Sequence, residues 1–401
     1  MDVPEMQTAQ RIKVGVVGLG FGSTLTLPYF VADKRFEIVA AVDPRSAARD
    51  AFATRFGGEA FSCATELFER SSVDLVYICT PPYLHREQVE EAAAYRRHIL
   101  VEKPMALTVA DCDQMIRATD EAGVMLMYGH THSYDPPIKA IKELVRSGEH
   151  GTVQMVQNWT FTDLLYRARA EWELNDSVGG GAVYIQAAHQ IDIIRMLVGD
   201  QIASVTAHTY CFDATRKAHG AYVALLSFKN GASATIVYNG YGHFDTAELH
   251  GWVGEDGNLR PPDTHAKTHQ ARINRNEEAE REARRFGLAN LAETAVPFHS
   301  HFGLTLVSLS KADIRQTPNG LSVYSNKGRI EIGVEVGRGG RGVMLDELYS
   351  ALTGSRQPLH DGKWGRDTLA VCEAILQSAR SGKAMELRRG ISKEEPPGRQ
   401  T

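Results

Sequence analysis

A chain of 401 residues, 43% hydrophobic and 23% charged, is long enough for two or three domains of roughly 150 residues, and its ordinary composition excludes a disordered or collagenous protein. A net charge of -5 gives no basic footprint for nucleic acid, and no stretch reaches the ~18 unbroken apolar residues of a membrane span, so both are excluded as expected partners. The five cysteines are odd in number and scattered, and the opening MDVPEMQTAQRIK lacks the apolar core of a signal peptide, so a reducing, cytoplasmic setting is expected.

Short β-rich runs at 13–17 (KVGVV), 37–42 (EIVAAV), 75–79 (LVYIC) and 98–101 (HILV) alternate with helical candidates at 44–56, 85–95 and 109–121. Asp43 is the expected cap of the first helix and Gly123 the stop of the last. Strands separated by helices predict a doubly wound parallel sheet of the Rossmann type, here over residues 1–130. From Thr152 the pattern changes to long alternating runs, with Asn230-Gly231 a strong hairpin signal and Asn326-Lys327-Gly328 a weaker one. An α+β domain with an open antiparallel sheet is predicted over 131–388, interrupted by a helix at 181–197 and closed by helices at 343–352 and 366–378. The polar stretch 256–296 reads as a solvated helical insertion or a subunit-contact arm, and 389–401 as a disordered tail.

Gly18, Gly20, Phe21 and Gly22 follow the first strand directly, where glycines permit a tight turn and let backbone N–H groups approach a pyrophosphate. The third glycine comes one residue early, leaving Ser23 at the last motif position. Asp43 ends the second strand about where an acid accepts bonds from the adenosine ribose, which favours NAD over NADP, while Arg45 pulls the other way. Thr80-Pro81-Pro82 with His85, and Glu102-Lys103-Pro104, close the third and fourth strands at the edge where open α/β sheets hold ligands. Lys103 is either a partly desolvated proton-transfer group or a lysine paired with Glu102. His189 and Asp192 share a helix face; they form an acid/base pair or a metal half-site, or else Asp192 pairs with Arg195 and His189 is a core histidine. His130, His132 and Asp135 would suit zinc only with further ligands at known spacing, and no metal is expected. No Gly-x-Ser-x-Gly elbow or cysteine nucleophile signature is present.

GLGFG after the first strand, Asp43 after the second, TPPYLH, VEKP and GGG-x7-H-x-x-D, in this order, resemble the glucose-fructose oxidoreductase/inositol dehydrogenase (Gfo/Idh/MocA) family over residues 11–388. The resemblance implies an NAD-dependent dehydrogenase in which Gly18, Gly20, Phe21, Gly22, Asp43, Arg45, Thr80, Pro81, His85, Glu102 and Lys103 hold the cofactor. It places Lys103 and His189 in the substrate site as catalytic residues, with Asp192 orienting the imidazole. Ile185 stands where the family carries an acid, and Ala187 where it carries glycine. Within the family, GHTHSYD, FTDLLYR and PLHDGKWGRD are similar to the phthalate 4,5-cis-dihydrodiol dehydrogenases of aromatic catabolism. That likeness implies a small-molecule substrate, a carboxylated cyclic cis-diol, bound by His132, Arg167, Arg169 and His189, with His299 and His301 as further candidates. A sugar or cyclitol dehydrogenase and a non-catalytic nucleotide-binding regulator are the alternatives. Family habit implies a homodimer or homotetramer joined through the second-domain sheet.

Overall fold

A computed structural model describes residues 11–199, 201–271, 276–288, 291 and 294–387; the expected tail at 389–401 lies outside the described residues. Six parallel strands, β1 (Ile12–Val17), β2 (Phe36–Val42), β3 (Glu59–Phe61), β4 (Leu75–Ile78), β5 (His98–Val101) and β6 (Leu126–Tyr128), form one sheet in the order β3-β2-β1-β4-β5-β6. The order reverses between β1 and β4, the switch point at which such sheets open a crevice for ligand. Helices α1 (Phe21–Ala32), α2 (Ser46–Phe56), α3 (Ala64–Arg70), α4 (His85–Ala94) and α5 (Val109–Ala122) supply the crossovers. Thr108 caps α5 through its hydroxyl, and Gly123 ends it in the left-handed conformation. Asp43 does not cap α2, which starts after Arg45; the carboxylate is used on the glycine loop instead.

α6 (Pro136–Ser147) leads to a nine-stranded sheet ordered β14-β13-β12-β11-β7-β10-β9-β8-β15. Its strands are β7 (Val153–Phe161), β8 (Ile202–Tyr210), β9 (Ala221–Phe228), β10 (Ser233–Asn239), β11 (Leu304–Leu309), β12 (Ala312–Thr317), β13 (Gly320–Ser325), β14 (Gly328–Gly333) and β15 (Met385–Glu386). The sheet is mixed, because β7 and β10 pair in parallel while the other neighbours are antiparallel. Both hairpins form, with Gly231 and Gly328 at positive φ. α7 (Ala188–Val198), preceded by a π-helical turn at Val183–Ala187, packs on the inner face. The outer face leaves Met155, Trp159, Val223 and Leu225 exposed, with Trp159 and Val223 flanking Val237 in one row across three strands.

The polar insertion contains α8 (Thr264–Ala271) and α9 (Glu277–Ala283), followed by a segment that folds back onto the first domain. Phe286 is buried and stacks on Phe56 of α2 at 5.9 Å. Helix α10 (Gly339–Leu352) also docks there, so Phe286, Met344, Leu345 and Leu348 complete the core that holds Val14, Leu27, Phe30, Tyr77 and Met127. α11 (Gly362–Ser381) packs on α5 and β8. The insertion is therefore part of the nucleotide-side packing of its own chain, not solely a solvated excursion.

Candidate active site

The loop after β1 is shaped by contact with β4. Gly18 has φ +99°, and a Cβ there would lie 2.9 Å from Thr80 Cγ2, so only glycine fits. At Gly20 a Cβ would meet nothing within 4 Å; this glycine is the N-cap of α1 with no side-chain cap. An open backbone cradle at an uncapped helix N-terminus fits the pyrophosphate of a dinucleotide. Phe21 begins α1 with an exposed ring, and Gly22 follows within the same turn. Asp43 Oδ2 accepts from Leu19 N at 2.9 Å and fixes the loop, while Oδ1 accepts from Arg45 N and Nε, both at 2.9 Å. Arg45 thus covers the carboxylate expected to meet the ribose.

Other expected cofactor residues are engaged internally. His85 is fully buried, its ring nitrogens 2.8 Å from Thr80 O and 3.1 Å from Met105 O, so its side chain ties the loops after β4 and β5 together. Thr80 Oγ1 bonds Gln88, and Pro81 leads into the turn before α4. Glu102 Oε1 accepts from the Tyr77 hydroxyl at 2.7 Å.

Lys103 leaves its neighbour Glu102 and crosses to the second domain, where Nζ donates to Ile185 O at 3.0 Å. Ile185 lies in the π-helical turn, one turn before His189, so Lys103 and His189 are brought together. Burial lowers the Lys103 ammonium from the usual lysine range, against the opposing charges of Glu102 and Glu255. His189 is buried among His132 and Phe302, with ring centroids 4.9 and 4.8 Å away, and its Nδ1 has no partner. Burial, then the charges of Lys103 and His132, hold it neutral. His132 is the opposite case. Burial opposes its charge, but Asp135 Oδ2 at 2.7 Å and Glu255 Oε1 at 3.6 Å outweigh burial and raise it to about 9. The corner thus combines a desolvated amine, a neutral imidazole and a charged imidazole, groups suited to moving a hydroxyl proton.

Asp192 does not reach His189, nor does it pair with Arg195. Its fully buried carboxylate accepts from Thr131 Oγ1, Ser133 Oγ and Trp364 Nε1, while Arg195 bonds Trp364 O and Thr368. It clamps α7 against the segment bearing His132 and against α11, a positioning role in place of the expected orientation of the imidazole. The two expected carboxylate readers are also already paired. Arg167 donates to Asp163 at 2.9 Å and to Thr162, and Arg169 donates to Glu173 at 2.9 Å. His299 and His301 are buried; His299 Nε2 lies 2.9 Å from Val334 O, and His301 Nδ1 lies 2.8 Å from His299 O. Among the described residues no group of three or more His, Cys, Asp or Glu side chains could hold a metal ion. Glu255, just before the insertion, and Thr131, Ser133 and Trp364 were not singled out from sequence; the His132 and Asp192 partners that bring them to the site are 59 or more residues away along the chain.

Residues 12–130 match the oxidoreductase family model with an NAD-binding Rossmann fold, and 138–258 match the Gfo/Idh/MocA C-terminal domain. The chain is 36% identical over 382 residues to the 1-carboxy-3-chloro-3,4-dihydroxycyclohexa-1,5-diene dehydrogenase of Comamonas testosteroni, covering 92% of this chain and 95% of that one. The chain belongs to the Gfo/Idh/MocA oxidoreductase family. It is an NAD-binding oxidoreductase. A crystal structure from Bordetella bronchiseptica RB50, described as that of a dehydrogenase, superposes with TM-score 0.90 at 36% identity, covering 94% of this chain and all of that one. The myo-inositol 2-dehydrogenase of Thermotoga maritima is 29% identical over 49% of this chain and 58% of its own length.

Proposed function

We propose that this oxidoreductase converts a carboxylated cyclic cis-dihydrodiol, the phthalate 4,5-cis-dihydrodiol kind included, to the corresponding catechol. The observation that carries this reading is the extent of the likeness to the Comamonas testosteroni diene-diol dehydrogenase, which runs through both domains, whereas the inositol dehydrogenase aligns over about half of each chain.

Gly20 and the uncapped start of α1 would hold the pyrophosphate, and Asp43 and Arg45 would border the ribose. NAD+ held there would supply the acceptor for the hydride leaving the carbinol carbon. Lys103, whose ammonium burial disfavours, and neutral His189 face the reacting oxygen and share transfer of the hydroxyl proton. Loss of hydride and proton leaves a ring ketone, which tautomerises to the aromatic diol, so aromatisation pulls the reaction forward. Asp192 keeps α7 and the His132 segment in register throughout. The row in which exposed Trp159 and Val223 flank half-buried Val237 is the face through which copies of the chain would associate, as a dimer or tetramer.

The test is initial-rate oxidation, read as nicotinamide absorbance, of carboxylated cis-dihydrodiols against inositol and glucose. The expected result is kcat/KM at least about a hundredfold higher on the dihydrodiols, a difference of ~2.7 kcal/mol in transition-state binding. Inositol or a hexose outperforming every dihydrodiol would overturn the reading in favour of a cyclitol or sugar dehydrogenase.

A further inference from the structure

The polar insertion carries one carboxylate of the second domain to the edge of the nucleotide crevice. Helix α9 is held at its start by the second domain, where Glu277 pairs with buried Arg216 and accepts from Arg169 N at 3.2 Å. The segment after its far end lies on the first domain. Phe286 is buried against α2, its ring 5.9 Å from that of Phe56 and 6.4 Å from that of Phe52. Gly287, at φ +94°, passes so close to α2 that a Cβ there would lie 2.9 Å from Ala51 Cβ. Between these anchors Glu282 Oε1 faces Arg45 Nη1 at 3.5 Å, and the Arg284 guanidinium lies 5.9 Å from the ring centroid of Phe21 at the start of α1.

The consequence follows from how Arg45 distributes its three guanidinium nitrogens. Nε donates to Asp43 Oδ1 at 2.9 Å, and Nη2 donates to Leu19 O at 2.7 Å and to Asp43 Oδ2 at 3.1 Å. Nη1 is the nitrogen these acceptors leave over, and Glu282 is the group that faces it. Arg49, one turn further along α2, directs its Nη1 to the carbonyls of Asp43 and Pro44, both at 2.8 Å, while Arg285 pairs with Glu282 itself. Charges therefore alternate from Asp43 through Arg45 and Glu282 to Arg285, along the border where the adenosine ribose would lie. The Arg45–Glu282 pair is partly exposed, so it contributes little to stability. Its effect falls on the local charge instead: a ribose 2'-phosphate approaching Arg45 would meet a second carboxylate besides Asp43.

We propose that Glu282 is a positioning residue that sets cofactor choice. By occupying Arg45 Nη1 it denies the guanidinium to the 2'-phosphate of NADP+, while the unphosphorylated ribose of NAD+ needs no such cation. A cofactor read by the first domain alone would be chosen by Asp43 and Arg45; here a carboxylate delivered by the second domain takes part in the choice. The inference rests on the placing of the adenosine ribose beside Asp43 and Arg45 in the proposed function, and not on the identity of the substrate.

The experiment measures dissociation constants by calorimetric titration of the intact protein, E282Q, R45A and the doubly substituted chain with NAD+, NADP+ and the fragment adenosine 2',5'-bisphosphate. E282Q is expected to tighten NADP+ by about three- to tenfold, the scale on which an exposed charge acts on a phosphate of charge near -2, with NAD+ changed by less than about twofold. The bisphosphate should tighten in step with NADP+, and the gain should shrink as salt is added. E282D, which keeps the charge, should stay near the intact protein, a rescue that a packing defect would not show. In the R45A background E282Q should change nothing, because the carboxylate acts through Arg45. Equal shifts for NAD+ and NADP+, no shift for either, or a gain that persists without Arg45 would overturn the role of Glu282. R45A leaving both cofactors unmoved would put the ribose elsewhere, overturning the placing on which the inference rests as well.

Discussion

The two sides of the cleft treat their polar atoms differently. On the nucleotide side Asp43 is taken up by Leu19 and Arg45, Glu102 by Tyr77 and His85 by two carbonyls, so the side chains are mated and the open groups are backbone. On the substrate side His189 Nδ1 is an orphan and Lys103 holds a single carbonyl. A buried polar group without a partner costs about 1–3 kcal/mol, so the substrate side is held at an energetic disadvantage that a ligand can relieve. Cofactor binding, which relies on backbone, makes no such demand.

The largest expected effect tests whether the unmated groups are catalytic. Lys103→Ala and His189→Ala should each lower kcat by at least about a hundredfold, with NAD+ affinity little changed. His189→Ala should leave Tm near its starting value, because it removes an orphaned nitrogen along with the ring contacts. Unfolding of either variant in thermal melts would return that residue to a structural role.

An intermediate effect is expected on the mated side. Asp43→Ala removes the acceptor of Leu19 N and frees Arg45, so NAD+ affinity should fall by about tenfold, the value of a charged hydrogen bond, and the preference for NAD+ over NADP+ should narrow. Titration with both cofactors measures this. An unchanged NAD+/NADP+ ratio would mean that Asp43 serves the loop alone.

The smallest effect is a pH dependence of stability, read as Tm against pH. Burial holds His250 down to about 4 and His301 down to about 3, whereas an unfolded histidine protonates near 6.5. Between pH 6.5 and 4 the unfolded chain therefore binds more protons, and stability should fall on acidification by about 1.4 kcal/mol per pH unit for each histidine. His132, raised to about 9 against burial by Asp135 and Glu255, works with the opposite sign: its contribution is complete below about pH 6.5 and is lost as pH rises through 9. A flat Tm from pH 6.5 to 4.5 would contradict the buried, neutral state of the first pair.

The nucleotide fold was legible because its signals are local. β1, β2, β4 and β5 lie within a residue of their predicted spans, and the glycine loop follows β1 as its motif requires. β3 and β6 were missed, being three residues long, too short to show a period. The parallel β7–β10 pair has no alternation signature that distinguishes it from an antiparallel one. Lys103 and His189 could be nominated from motifs, but their meeting depends on the carbonyl of Ile185, and the task of Asp192 depends on Trp364, 172 residues away.

The docking of Phe286 and α10 into the first domain also bears on the order in which the chain matures during synthesis. When residues up to 130 have left the ribosome, their β-strands can pair, but the apolar face awaiting Phe286, Met344, Leu345 and Leu348 is not fully covered until more than two hundred further residues are made. The nucleotide domain is thus first by sequence and among the last to be sealed. A nascent chain halted at residue 135 should present this face to chaperones and proteases, whereas one halted after α10 should not.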